Sequence, residues 1–287
     1  MQTSLFLSTS AHFDYITTVD SHGWRDLAPF RYDKDTKTLF RRHCLGDGTP
    51  VDWQITNAPD GLHIVVESEM PLSDATSAEI EQAAARVFAL HWNPMPFYEA
   101  LRDQTNYAWV EQGRHGRLLV SPTVWEDVAK TLLTTNTTWG QTKNMAARLC
   151  ALDPDGCFPS AAQIAAFEPT DLAAKTGLGY RAAYLVGLAQ RMVAGEVDLE
   201  SWHDQSAVEI IKTLKGIKGY GAYATGTILR LLNHHDALAI DTVARAAFKS
   251  LTRSEKAEDA ELHSYYAPFG VWRGLVLWMD CIRDDEG

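Results

Sequence analysis

The sequence predicts an α+β fold in which an N-terminal antiparallel β domain is followed by a mainly α-helical domain. Residues 12–70 contain short runs rich in β-branched and aromatic residues, separated by turn signals such as Gly46-Asp47-Gly48 and Pro59-Asp60-Gly61. From residue 121 onward, capping pairs, apolar positions at helical spacing and terminating glycines follow one another. With 287 residues, of which 46% are hydrophobic, the chain is long enough for two domains and a large core.

Four runs in the N-terminal part are expected to form strands of the sheet: 15–19, 37–41, 53–56 and 62–66. Thr76 and Glu79 have the spacing of a capping box, which predicts the start of a helix. We therefore place the boundary near residue 75 and divide the chain into a β domain, residues 1–75, and a helical domain, residues 76–287. The sequence leaves open whether the β domain supports the functional part of the chain or is scaffold only.

Helix starts and stops in the second domain predict a bundle. Ser121-Pro122 is expected to begin one helix with Pro at its first position. The other signals are the capping boxes Thr138/Gln141 and Ser160/Gln163 and the glycines Gly177 and Gly195, which end helices.

Residues 206–248 hold two helical patterns around a Gly-x-Gly turn, the first opened by the capping box Ser206/Glu209. The residues expected to share a buried face are Val208, Ile211 and Leu214 in the first helix and Ala224, Ile228 and Leu231 in the second. Gly219 and Gly221 allow positive φ and leave backbone N–H groups uncovered at the start of the second helix, where the helix dipole favours an anion. Taken alone, the turn fits a phosphate-binding hairpin and an ordinary helix linker equally well.

Asp241 lies 18 residues after Tyr223 and directly before a predicted helix, 242–251. Taken alone, an Asp at this place is more often an ordinary N-cap than a catalytic group. Together, however, the hairpin 217–224 and the segment 241–245 resemble the helix-hairpin-helix DNA glycosylase superfamily, whose active site joins such a hairpin to an essential Asp.

This resemblance implies a helix-hairpin-helix glycosylase domain in which Asp241 is the catalytic residue. The implied substrate is double-stranded DNA with a damaged or modified base, and the implied process is base excision repair. Bifunctional members place a Lys where this chain has Tyr223, so the resemblance implies a monofunctional enzyme that leaves an abasic site, with Tyr223 in the base pocket. The residues implied to contact DNA here are Lys218, Gly219, Gly221 and Arg245.

Two further segments extend the resemblance. Residues 134–150 are similar to the segment of 8-oxoguanine DNA glycosylase that fills the space left by the extruded base, which implies this role for Asn136. Residues 177–184 are similar to the motif that wedges an aromatic residue and an Arg beside the damaged pair, which implies DNA contacts for Tyr180 and Arg181. The alternatives are that Asn136 bonds local backbone in a turn and that Tyr180 packs against its own helix.

The last helical pattern, 269–280, resembles the final helix of the same family, which lines the base pocket. This resemblance implies that Trp272, Arg273 and Leu277 are pocket residues. The 8-oxoguanine enzymes place a Gln and a Phe where this chain has Arg273 and Leu277, so their substrate does not carry over. An Arg in the pocket would repel a cationic alkylated base and suit an oxidised or otherwise acceptor-rich base. Tryptophans such as Trp272 and Trp278 are, however, more often core residues than pocket residues.

The net charge of −11 opposes long-range attraction to DNA. The charge is unevenly distributed, because residues 1–100 hold 14 acidic and 7 basic side chains whereas residues 206–250 hold 6 basic and 3 acidic ones. Two alternatives to a glycosylase are therefore kept. One is a non-catalytic helix-hairpin-helix DNA-binding protein, which the presence of Asp241 disfavours. The other is a helical protein-interaction module, which the net acidity favours.

The cysteines do not have the paired spacing of zinc or iron–sulfur ligands. We expect no metal or other cofactor, although carbonyl groups of the hairpin are compatible with a structural monovalent cation. No run of about 18 apolar residues is present and the N-terminal apolar run lacks a basic lead-in, so neither a membrane span nor a signal peptide is expected. We expect a monomeric cytoplasmic protein, associated with the nucleoid if the source is a bacterium.

Overall fold

A computed structural model of the chain describes residues 1–283. It confirms the α+β class, with a five-stranded antiparallel sheet followed by a mainly helical region. The strands are β1 (Gln2–Ser8), β2 (Phe30–Asp33), β3 (Thr38–Cys44), β4 (Pro50–Ala58) and β5 (Gly61–Glu67). The α-helices are α1 (Tyr15–Val19), α2 (Asp74–Val87), α3 (Met95–Leu101), α4 (Ala108–Gln112), α5 (Val124–Leu133), α6 (Trp139–Cys150), α7 (Ala161–Ala165), α8 (Pro169–Thr176), α9 (Arg181–Val193), α10 (Ala207–Lys215), α11 (Ala222–Leu231), α12 (Thr242–Thr252), α13 (Asp259–Tyr266) and α14 (Arg273–Ile282). None of these helices is both long enough and apolar enough to cross a membrane.

The sheet has the strand order β1-β5-β4-β3-β2, and each neighbouring pair is antiparallel. Its buried face is built from residues in register across three strands, such as Leu39 opposite Ile55 and Ile55 opposite Ile64. Alternation of buried and less buried residues along each strand fits a sheet with one face on the core. The strand predictions at 37–41, 53–56 and 62–66 are confirmed.

The fourth strand prediction, at residues 15–19, is wrong, because this run forms α1. The side chain of Asp14 caps the helix by accepting the backbone N–H of Thr17 at 2.9 Å. The Tyr15 hydroxyl donates to the Ile55 carbonyl at 2.8 Å and accepts the Leu39 N–H at 3.1 Å, which fastens the helix to the sheet. Capping and burial of one helical face thus override the β propensity of the run.

The chain forms two compact units. The first comprises residues 1–91 and 117–200, and the second comprises residues 92–116 and the part from 201 onward. The first unit contains the sheet with α1, α2 and α5–α9, and the second contains α3, α4 and α10–α14. The boundary near residue 75 between a β domain and a helical domain stays a prediction.

Side-chain caps determine where several helices begin. The predicted capping boxes Thr138/Gln141, Ser160/Gln163 and Ser206/Glu209 are all confirmed. Two other predicted starts are wrong. Ser73 caps α2 by accepting the N–H of Thr76 at 3.1 Å, and Thr123 caps α5, so Pro122 precedes that helix instead of opening it. At both places a neighbouring hydroxyl residue has the spacing to the first free N–H groups that a cap requires.

A buried ion network joins β3 to α5 within the first unit. Glu126 accepts hydrogen bonds from both terminal nitrogens of Arg41, at 3.0 and 2.6 Å, and its Oε1 lies 2.6 Å from Lys130 Nζ. The three side chains are at most 3% exposed. Both cations also lie over the ring of Phe30, at 4.5 and 4.8 Å from its centroid. Because charges at this depth are tolerated only when paired, the network fixes β3 against α5.

A disulfide joins Cys44, at the end of β3, to Cys157 in the loop after α6. The two cysteines are 113 residues apart, a spacing that carries no pairing signal, and the sequence analysis did not foresee the bond. Asp153 lies beside both sulfurs, but cysteines bonded to each other supply no thiolate for a metal. Closing so long a loop stabilises the first unit by constraining the unfolded chain.

The core of the second unit contains a buried carboxyl group, Asp280. Its Oδ2 accepts hydrogen bonds from the hydroxyl groups of Tyr107 and Tyr266 at 2.9 and 2.8 Å. Among residues 1–283 its Oδ1 has no hydrogen-bond partner. Burial raises the pKa of Asp280 to about 6, against the opposing effect of the two tyrosine hydrogen bonds. The carboxyl group therefore titrates near neutral pH.

Replacing Asp280 by Asn is expected to stabilise the protein above pH 6 and to change little near pH 4. An acid whose pKa is raised in the folded state favours folding when protonated, so its contribution is lost as the pH rises from about 4 to about 6. Asn keeps an acceptor for both tyrosines and cannot ionise, so the expected gain at pH 7.5 is about 3 kcal/mol. Urea unfolding of both proteins from pH 4 to 8 measures this difference. Parallel stability curves would contradict the expectation.

Candidate functional site

The helices α10 and α11 of the second unit are joined by the turn 216–221, as predicted. Gly219 has φ 97°, which confirms the predicted positive φ and is relaxed for glycine only. Gly221 does not use this freedom, because its φ is −73° and it serves as the extended N-cap of α11. Within residues 1–283 nothing lies within 4 Å of where a Cβ atom of Gly221 would stand, so the first N–H groups of α11 stay accessible.

The faces of the two helices agree only partly with the prediction. α10 buries Ile210 and Leu214, which lie one turn apart. Val208 is 75% exposed, so its predicted place on the buried face is wrong. It lies two positions before the buried Ile210, and two positions along a helix turn the side chain by about 200°, to the opposite side. In α11 the predicted residues Ala224, Ile228 and Leu231 are all buried.

The start of α11 offers a binding place for an anion. Gly221 and Ala222 are exposed, and so are Lys215 and Lys218 of the preceding segment. No side chain caps the first N–H groups of this ten-residue helix in the described part of the chain. Accessible N–H groups, the helix dipole and two ammonium groups together attract a phosphate.

Asp241 caps α12, as predicted. Its Oδ1 accepts the backbone N–H of Ala244 at 2.8 Å. The residue is half-buried. One carboxylate oxygen is thus fixed by the helix, while the side chain as a whole still reaches the surface.

Two glycines hold the segment that leads to Asp241 close to the neighbouring helices. A Cβ atom at Gly226 of α11 would lie 3.0 Å from both the Ala239 nitrogen and the Leu238 oxygen. A Cβ atom at Gly274 of α14 would overlap the carbonyl oxygen of Ala237, and the Gly274 N–H donates to the His235 carbonyl at 2.7 Å. The segment 235–239 therefore runs in close contact with α11 and α14, and this contact positions Asp241.

Arg230 of α11 is a buried cation that Asp241 influences electrostatically. It is 7% exposed, and its guanidinium lies over the Trp278 ring at 4.3 Å from the centroid. Burial lowers the pKa of Arg230, and Cys281, Tyr223 and Asp241 oppose this effect electrostatically. We call Tyr223, Arg230, Asp241, Trp278 and Cys281 the arginine cluster.

Arg230 was not among the site residues predicted from the sequence, although a signal was present. Arg230 follows Tyr223 by seven residues, which is two helical turns and places both side chains on one side of α11. It also lies between Ile228 and Leu231 on a helix that is otherwise apolar in this region. An Arg at such a position is unusual in a core and points to a special environment.

An aromatic cluster lies in the same unit. The His235 ring stacks on Trp272, with centroids 5.5 Å apart, and meets Trp92 edge-on at 5.7 Å, while Trp272 also contacts Phe97 at 5.3 Å. Neither ring nitrogen of His235 has a hydrogen-bond partner among the described residues. Burial, with Arg230 and His234 as further causes, lowers the pKa of His235 to about 3. His235 is therefore neutral at physiological pH.

The other residues predicted for the base pocket and the Asp helix lie in well-defined contacts. The Arg273 guanidinium donates to the carbonyl oxygen of Asp236. Leu277 is 1% exposed and belongs to the core of the second unit. Arg245 binds the Ala257 carbonyl and the Asp259 carboxylate, which ties α12 to the start of α13. The roles predicted for these side chains stay predictions.

In the first unit the structure brings together the predicted space-filling residue, Asn136, and the two predicted wedge residues, Tyr180 and Arg181. Asn136 has φ 47°, and its amide donates to the Tyr180 hydroxyl at 3.3 Å. Arg181 is 7% exposed and binds the carbonyl oxygens of Thr135 and Asn136, the latter at 3.0 Å. Tyr180 is 51% exposed. Arg181 thus holds the turn in place, while the Tyr180 ring projects from the surface.

A cavity of about 360 Å³ opens beside this turn in the first unit. Its lining includes the polar residues Asn136, Gln141, Asn144 and Arg148. Amide and guanidinium groups around an open cavity suit a polar ligand such as a nucleotide base or a phosphate.

Residues 129–267 match the family described as HhH-GPD superfamily base excision DNA repair protein. This range contains the hairpin and the turn at Asn136. It also contains three of the five residues of the arginine cluster, Tyr223, Arg230 and Asp241. This part of the chain belongs to the HhH-GPD superfamily. The resemblance drawn from the sequence is thereby confirmed at the level of the superfamily.

Solved structures of glycosylases share the fold. The 3-methyladenine DNA-glycosylase from Archaeoglobus fulgidus is 17% identical, with a TM-score of 0.76 over 98% of this chain and 98% of that one. The apo 8-oxoguanine glycosylase/lyase of Clostridium acetobutylicum is 18% identical, with a TM-score of 0.73 over 97% and 95%. MBOgg1, solved with a low-affinity DNA ligand, is 18% identical, with a TM-score of 0.75 over 99% and 96%. At these identities the likeness shows the fold alone.

A structure with the same fold has been solved on DNA. The clostridial glycosylase/lyase is also known in complex with double-stranded DNA that contains cytosine opposite 8-oxoguanine, and this structure matches with a TM-score of 0.62 and 16% identity over 91% of this chain and 100% of that one. Among curated protein sequences, none matches the chain.

Proposed function

We propose that the chain is a monofunctional DNA N-glycosylase, which flips a damaged or modified base out of double-stranded DNA, excises it and leaves an abasic site. The observation that carries this proposal is the placement of Asp241 in the HhH-GPD part of the chain. Its carboxylate caps α12, the helix that follows α11 along the chain, and it is held by the Ala244 N–H without being fully buried.

The chemistry of base excision suits a fixed carboxylate. Breaking the N-glycosidic bond leaves an oxocarbenium-like sugar, which a nearby negative charge stabilises while a water attacks. In this proposal Asp241 supplies the charge and helps to position the water. Because Oδ1 is engaged by the helix, Oδ2 is the oxygen assigned to the sugar.

Tyr223 supports the monofunctional form of the reaction. An associated lyase step needs an amine that forms a Schiff base with the sugar, and a phenol cannot do this. Lys215 and Lys218 are exposed around the hairpin turn, where binding of a DNA phosphate is the role we assign to Lys218 together with the backbone of Gly219 and Gly221.

The remaining predicted residues take supporting roles in the proposal. Asn136 and Tyr180 fill the space left by the flipped nucleotide, and a stacked ring can offset part of the unstacking cost at about 1–3 kcal/mol per base. Arg181 holds the Asn136 turn. The residues assigned to the wall of the base pocket are Trp272, Arg273 and Leu277, and Arg245 is assigned to the DNA side of α12.

Base release from duplex oligonucleotides tests this proposal. We expect strand cleavage at a modified base only after hot alkali, and no covalent complex when the reaction is treated with borohydride, because no Schiff base forms. Cleavage without alkali, or a trapped complex, would overturn the monofunctional assignment. Salt-sensitive DNA binding without release of any base would favour the non-catalytic DNA-binding protein instead.

A further inference from the structure

Arg230 is an uncommon residue for the inside of a helical unit. A buried guanidinium normally forms ion pairs and several hydrogen bonds, because an unpaired charge is costly to bury. Among residues 1–283 the Arg230 guanidinium has neither a hydrogen bond nor an ion pair, and its contact is the face of Trp278 at 4.3 Å. Its donors are therefore available to a ligand.

The surroundings of Arg230 place it near the proposed reaction centre. Tyr223 lies on the same side of α11, two turns earlier, and Asp241 acts on Arg230 electrostatically. The partly exposed side chains of Tyr223, Asp241 and Trp278 show that the arginine cluster is reached from the surface. A base stacked on the rings of Tyr223 and Trp278 would have Arg230 beside its edge.

His235 gives a second, independent indication of a polar ligand. The side chain is 5% exposed, and both of its ring nitrogens lack a hydrogen-bond partner in the described part of the chain. It is neutral and acts electrostatically with Arg230. Since buried polar atoms are nearly always bonded in native proteins, the unsatisfied imidazole marks a place for a hydrogen-bonding group.

We propose that Arg230 is a specificity-determining residue that selects uncharged bases with carbonyl oxygens at their edge and rejects cationic alkylated bases. This role presupposes the glycosylase function proposed above and adds its substrate class. A guanidinium donates to one or two carbonyl oxygens and has no acceptor to offer. A cationic base would meet a like charge where little water screens it. This differs from the sequence-based interpretation, which assigned the pocket cation to Arg273.

Single-turnover base release tests the proposal with five duplexes. Three carry the uncharged bases 8-oxoguanine, hypoxanthine and uracil, and two carry the cationic bases 7-methylguanine and 3-methyladenine. We expect the wild type to excise at least one uncharged base at least tenfold faster than either cationic base. Arg230→Met is expected to reduce this ratio at least tenfold, whereas Arg230→Lys keeps the charge and should still reject the cationic bases.

Arg102→Met is the matched control, because Arg102 belongs to the same unit, is 65% exposed and, among residues 1–283, pairs only with Glu99 of its own helix region. Circular dichroism and binding to an abasic-site duplex check that each variant is folded. A wild type that prefers cationic bases would overturn the proposal, even if Arg230→Met did not fold. An equal loss on all five bases in Arg230→Met would overturn it too, since Arg230 would then act through Asp241. Release of no base by the wild type would overturn both this role and the proposed function.

Discussion

Replacement of Asp241 by Asn is expected to reduce base release by about 10³-fold while leaving DNA binding nearly unchanged. The expected size follows from the loss of a preorganised charge at the developing oxocarbenium ion, because single electrostatic groups of this kind contribute about 10²–10³ in rate. Asn retains a side-chain oxygen that accepts the Ala244 N–H, so α12 keeps its cap. The substitution therefore removes the charge and little else. Single-turnover release with hot alkali, at saturating protein, measures the chemical step.

Asp241→Ala is a second variant that separates the charge of Asp241 from its role as a helix cap. It removes both the charge and the cap, and loss of an N-cap costs about 1 kcal/mol of stability. We expect Asp241→Ala to be as inactive as Asp241→Asn but to unfold at lower urea concentration. If Asp241→Asn kept the wild-type rate, Asp241 would be an ordinary cap, which is the alternative that the sequence left open. If both variants also lost binding to an abasic-site duplex, the carboxylate would act in binding and not in catalysis.

Local chemistry explains why the hairpin and the Asp helix could be predicted. Capping boxes such as Ser206/Glu209 and the N-cap at Asp241 depend on side chains within three residues of the N–H they bind, so spacing in the sequence is sufficient. The positive φ of Gly219 is likewise a property of one turn. The helix-hairpin-helix part of the site was therefore readable in the sequence.

Tertiary contacts explain what could not be predicted. Residues 15–19 became a helix because Tyr15 binds the backbone of two strands that lie more than twenty residues away. The disulfide between Cys44 and Cys157 depends on the approach of β3 to a distant loop. Arg273 has its guanidinium on the backbone of Asp236, a contact that spacing does not reveal. The position of Arg230 in an apolar helix was visible in the sequence, but its contact with the Trp278 ring depends on the packing of α14.

Replacement of Glu126 by Gln is expected to lower the free energy of unfolding by about 3–5 kcal/mol, the range observed when one member of a buried ion pair is removed. The variant would leave Arg41 and Lys130 buried side by side without the carboxylate between them. Urea unfolding at pH 7 measures the loss. Glu196→Gln is the matched control, because Glu196 is 61% exposed and pairs with Arg191, and exposed pairs contribute about 0–1 kcal/mol. Adding Lys130→Met to Glu126→Gln should recover part of the loss, since it removes one uncompensated cation.

The pH dependence of the free energy of unfolding is a second test of the same ion network. Burial opposes the ionisation of Glu126, but the charges of Arg41 and Lys130 outweigh it and lower the pKa of Glu126 from 4.5 to about 2. A carboxyl group with a lowered pKa stabilises the folded state above its unfolded pKa and loses this contribution as the pH falls through its folded pKa. The wild type should therefore lose about 3 kcal/mol between pH 5 and pH 2 through Glu126, a loss that Glu126→Gln does not show. The two stability curves should converge as the pH falls. If they stayed parallel down to pH 2, the carboxylate would not be paired in solution, and the fixing of β3 against α5 would have to come from apolar packing alone.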